Sequence, residues 1–139
     1  MTKEETRTLW GSLAIAVGVF LPWHSFNYGY PIPGVFPDVG QGVITGFHLP
    51  AGQMVFATAL LIAVLTLWPH REAVHGRVLT ARLFASYLVL SLLLVSGLGP
   101  TLFVWNVSPH IGLAAVFLGF LLTFSAYRRE MKAEDRENL

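Results

Sequence analysis

Apolar positions in this chain neither alternate with polar ones nor recur along one helical face; they run in long unbroken blocks. Four blocks stand out: "TLWGSLAIAVGVFLPWH" over 8–24, "AGQMVFATALLIAVLTLWP" over 51–69, "RLFASYLVLSLLLVSGLG" over 82–99 and "SPHIGLAAVFLGFLLTFSAY" over 108–127. A helix that is apolar around its whole circumference belongs in lipid rather than on a soluble core. Roughly 20 helical residues cross a hydrocarbon layer of about 30 Å, and each block approaches that length. The predicted fold class is therefore an all-α integral membrane protein, a four-transmembrane-helix bundle forming one domain over residues 1–139.

Start and stop signals support these limits. Pro50 and Pro109 sit where a first helical residue belongs, because proline lacks only a donor that would be unpaired there anyway. Ser108 is a suitable N-cap before the last block. Pro69 closes the second block, and Gly97, Gly99 and Pro100 end or kink the third, leaving "TLFVWN" as a short apex. The stretch between the first two blocks, 25–50, is crowded with rings, prolines and glycines. Its runs "YPIPGVF" and "GVITGFHL" favour extended backbone on either side of a turn-rich "PDVGQG". A small folded cap, hairpin-like and packed on the helix ends, is expected, since a lone two-stranded hairpin is marginal in water.

Composition sharpens the picture. Hydrophobic residues make up 54% of the chain and charged ones 12%, about half the charge share of a soluble domain. Between Thr8 and His70 the only formal charge is Asp38, and from Leu83 to Tyr127 there is none. All nine Lys and Arg fall in three places: Lys3 and Arg7; Arg71, Arg77 and Arg82; and Arg128, Arg129, Lys132 and Arg136. Four crossings put these regions on one side, which the positive-inside rule makes cytoplasmic. The expectation is a multi-pass protein of the plasma (cell) membrane with both termini in the cytoplasm and the cap outside. Trp10 and Trp68 then mark the inner interface and Trp23 and Trp105 the outer. Two glutamates in "MTKEETR", with no small-residue cleavage site after the apolar run, read as an uncleaved first helix. There is no cysteine, so thiolate chemistry and disulfides are excluded.

Candidate chemistry is sparse. His24, His48 and His110 share the outer level, and three imidazoles with Asp38 can in principle ligate a metal. No short ligand spacing supports this, and an interfacial histidine is ordinary, so no cofactor is expected. His70 and His75 fall in a basic stretch read as a solvated loop. No ionisable residue is expected within the hydrocarbon, which argues against a pump or ion-coupled carrier. Small residues at helix-packing spacing (Ala14 and Gly18, Ala59 and Ala63, Ala115 and Gly119) suit close contact within the bundle or with another subunit. Hydrolase, phosphate-loop and paired-carboxylate motifs are missing, so no catalytic residues are assigned.

The functional expectation is a non-catalytic subunit or accessory protein of a larger membrane complex. Its partners would be the lipid bilayer and other membrane-protein subunits or copies of itself, not nucleic acid. Trp23, Phe26, Tyr28, Tyr30, Phe36 and Phe47 would make the partner contacts. The alternative is a membrane protein binding an apolar ligand, metal or cofactor beneath the cap; a homo-oligomeric channel or carrier comes third.

Overall fold

The computed structural model describes residues 1–27, 41–103 and 107–139. Four long helices carry it: α1 Lys3–Phe20, α2 Pro50–Leu67, α3 Glu72–Phe103 and α4 Ile111–Glu137. Three of them, α2, α3 and α4, are long and apolar enough to cross a membrane. The first turns of α1 hold Lys3, Glu4, Glu5 and Arg7, so its uncharged part is shorter, Thr8–Phe20.

Local chemistry sets the ends. Thr2 caps α1 in a reciprocal box: Glu5 N–H donates to Thr2 Oγ1 at 3.1 Å, and Thr2 N–H donates to Glu5 Oε2 at 2.7 Å. The helix stops at Phe20 rather than running to His24, because Pro22 pushes Leu21 into extended backbone (φ −82°, ψ 158°). Pro50 opens α2 as expected. The 70–81 stretch, read as a loop, is helical from Glu72 onward, so α3 starts ten residues before its apolar block. The C-terminal tail also stays helical, to Glu137.

Strand β1, Pro22–Asn27, lies between β2, Gln41–Thr45, and β3, Val107–Pro109, in a small antiparallel sheet. The cap is therefore built from both connections at this end. The expected strand "GVITGFHL" is realised in part as β2, followed by a 3-10 turn over Gly46–His48. The expected strand "YPIPGVF" lies outside the described residues. Ser108 does not cap α4: it pairs with Ser25 in the sheet, and His110 takes the N-cap position, its Nδ1 accepting from Ile111 N–H at 2.9 Å. Strand pairing satisfies backbone groups that a helix beginning at Pro109 would leave unpaired.

Within α3, residues Leu93–Leu98 form a π-helical turn. Pro100 explains it: proline has no N–H for the carbonyl four residues back, and its ring collides with that carbonyl. The kink foreseen at Gly97, Gly99 and Pro100 is thus a local widening, after which the helix continues to Phe103.

α1 and α4 run antiparallel and touch backbone to backbone. A Cβ on Gly119 would stand 2.6 Å from the Gly11 carbonyl oxygen, and one on Gly18 2.8 Å from the Val116 side chain. Gly11 and Gly18 on α1, and Gly112 and Gly119 on α4, share a seven-residue spacing that returns them to one face. The core beside this seam holds Ile15, Val19, Val55, Val89, Val116 and Phe120.

Candidate functional site

Among the described residues, polar groups come together at the sheet end of the bundle and at the end that carries both termini.

At the sheet end, Trp23 is fully buried. Its indole N–H donates to the Gly18 carbonyl at 3.0 Å, and its ring lies against Gly46 and Gly112, where any Cβ would overlap it. Buried indole needs an N–H acceptor, and the C-terminal turn of α1 supplies one. Phe26, in the same strand, is also buried. Two rings expected to face a partner are therefore buried in the chain, and Trp23 holds β1 to α1 and α4. Tyr28, Tyr30 and Phe36 lie outside the described residues. Phe47 is half exposed and stacks on the half-exposed Phe20 (centroids 4.8 Å). Both rings meet Phe56 edge-on, at 6.0 and 5.3 Å. Three elements thus contribute to one aromatic platform.

Each of the three histidines at this end has its own hydrogen bond. His24, 4% exposed, donates from Nε2 to the Gly97 carbonyl at 2.6 Å, satisfying an oxygen of the π-helical turn. His48 Nδ1 pairs with Thr45 Oγ1 at 2.6 Å, and His110 caps α4. Among the described residues no three His, Cys, Asp or Glu side chains come together in a way that could hold a metal ion; Asp38 lies outside them. His110 instead borders an open apolar groove of about 650 Å³ between the π-helical turn and α4, lined by Leu94, Leu98, Leu113 and Phe117 among others.

At the terminal end, α3 buries a charge that the sequence reading placed at a helix start. Arg82 is 3% exposed. Its guanidinium donates to Glu130 Oε1 at 2.8 Å and Oε2 at 3.2 Å, and to Thr8 Oγ1 at 2.7 Å. Three helices are joined at one cation. Ser86, one turn on, bonds back to the Arg82 carbonyl at 2.9 Å and reaches Thr123 Oγ1 at 3.4 Å. The helices thus bury an ionisable pair between them at the edge of the apolar blocks, Arg82 opening the third and Glu130 following the fourth. His75 Nε2 lies 3.9 Å from Glu130 Oε2, and His75 Nδ1 lies 2.8 Å from His70 Nε2. His75 belongs to α3 rather than to a loop, whereas His70 lies in the connection between α2 and α3 and bonds to His75.

The sequence carried half of a signal for this cluster. Arg82 is a lone cation running directly into an apolar block, but nothing local names Glu130, 48 residues away, as its counter-ion. The packing faces were legible at Gly18 and Gly119, whereas their partners in the seam, Gly11 and Gly112, were not paired with them.

Comparison with protein-family models, with curated proteins and with solved structures finds no match to this chain.

Proposed function

We propose that the chain is a small plasma-membrane protein with both termini in the cytoplasm, acting as a non-catalytic accessory subunit of a larger membrane assembly. The observation that carries this reading is the Phe20, Phe47 and Phe56 platform. Rings held rigid by mutual stacking across three elements lose little freedom on binding, and aromatic residues of this kind dominate the energetics of interfaces. Segregation of every Lys and Arg to the terminal end supports the orientation.

Mild detergent extraction at native expression level tests it. The expected result is migration well above the chain's own 15.3 kDa plus detergent, with defined co-migrating proteins that are lost in Phe47→Ala. A wild-type chain migrating alone overturns the reading.

The groove beside the π-helical turn favours a second reading, an apolar-ligand site. Its volume falls within the roughly 300–1,000 Å³ usual for small-molecule sites. Mass analysis of organic extracts from the purified protein checks this. A stoichiometric apolar molecule, displaced by the groove-filling Ala114→Phe, supports it; bulk lipid in equal amount from both proteins excludes it.

A further inference from the structure

His110 is held at both its backbone and its ring. Its N–H donates to the Trp23 carbonyl at 2.9 Å, which ties it to β1. Its Nδ1 accepts from Ile111 N–H at 2.9 Å, so Nδ1 carries no hydrogen. A neutral imidazole with a bare Nδ1 has its hydrogen on Nε2, and that nitrogen is a donor. Among the described residues Nε2 has no hydrogen-bond partner.

The same ring lines the groove between the π-helical turn and α4. Leu93 and Leu113 are buried at its base, while Leu94, Leu98, Ile111 and Phe117 are exposed along its sides. Every other described residue of the lining is apolar. The groove is thus an aliphatic channel with one oriented donor, placed at the N-cap of α4.

That combination selects the occupant. A helix of another subunit would fill the groove, but its backbone carbonyls are already bonded within it, so the donor would stay unpaired. An anionic head calls for a cation, and no Lys or Arg occurs between Thr8 and His70 or between Leu83 and Tyr127. The matching group is an uncharged carbonyl joined to an apolar chain. An ester phospholipid supplies both at the right depth. Its chains fill the hydrocarbon layer, and its ester carbonyls lie at the boundary with the headgroups, where a spanning helix begins.

We propose that, with the groove an apolar-ligand site, its occupant is an acyl chain of an ester phospholipid whose ester carbonyl accepts from His110 Nε2–H. The phosphate lies beyond the ring, in the headgroup layer. Recognition is of the ester linkage and not of headgroup charge.

Native mass spectrometry of the full chain, released from lipid discs, tests this. The discs hold equal parts of diacyl and dialkyl-ether phosphatidylcholine with matched tails, so the two lipids differ in the carbonyl alone. The wild-type chain should retain the diacyl lipid over the ether lipid by about 2- to 12-fold, the effect of one hydrogen bond. His110→Ser keeps an N-cap side chain but removes the ring donor. It should still retain lipid, now in the proportions of the disc. Ala114→Phe, which fills the groove, should lose both lipids. A wild-type chain that retains lipid without preference overturns ester recognition and leaves the apolar-ligand reading standing, as does a preference unchanged in His110→Ser. A wild-type chain holding no more lipid than Ala114→Phe overturns both.

Discussion

Arg82 of α3 and Glu130 of α4 face each other with two hydrogen bonds, 2.8 and 3.2 Å long, while Thr8 of α1 takes a third from the same guanidinium. Removing one partner strands a buried charge. Arg82→Met or Glu130→Met should each destabilise the fold by about 3–5 kcal/mol, whereas a paired apolar replacement recovers most of that loss. Thermal melts of Arg82→Met, Glu130→Met and the double variant give the comparison. Additive losses in the double variant would show that the pair is not the contact that matters.

Gly119 of the α1–α4 seam and Gly76 of α3 should respond in opposite ways to a larger side chain. Gly119→Val drives a side chain into the Gly11 carbonyl and Ile15 and should separate the helices, costing about 1–3 kcal/mol or more. Gly76→Ala places its methyl 3.9 Å from the nearest atom, Glu134 Oε1. There the gain in helix propensity, about 0.5–1 kcal/mol, should dominate. Paired melting curves decide it, and a stabilising Gly119→Val would refute the close approach.

His24 is tied to the π-helical turn by its bond to the Gly97 carbonyl. His24→Phe keeps a ring but removes the hydrogen bond to that oxygen, a loss of about 0.5–1.5 kcal/mol. Hydrogen exchange should rise over Leu93–Phe103 in this variant while the Arg82 region is unchanged. Uniform protection along α3 would contradict the linkage.

Orientation is checked by reporter fusions. Those placed after Arg77 and after Leu139 should be active on the cytoplasmic side, and one at Val39 on the outer side. A cytoplasmic signal from the Val39 fusion would reverse the proposed topology.

The four helices were legible in the sequence because long apolar blocks and their prolines act locally: uninterrupted apolarity demands a structure with its own backbone bonds satisfied, and Pro50 or Pro100 acts on its own turn. Helix ends were less legible. α3 and α4 extend through charged sequence, where Arg71–Thr80 and Arg128–Glu137 offer no apolar run to follow. What only the tertiary structure decided is which groups meet. Strand β3 exists because Val107–Pro109 finds β1, a pairing across some eighty residues that no local pattern encodes. Trp23 has the composition of an interfacial ring, yet facing glycines at 46 and 112 open a slot that buries it. Arg82 looks like a topogenic cation until α4, continuing past its apolar block, delivers Glu130 to it. Apolar burial and helix formation depend on neighbours in sequence, but the counter-ion of a buried charge depends on where a distant helix ends.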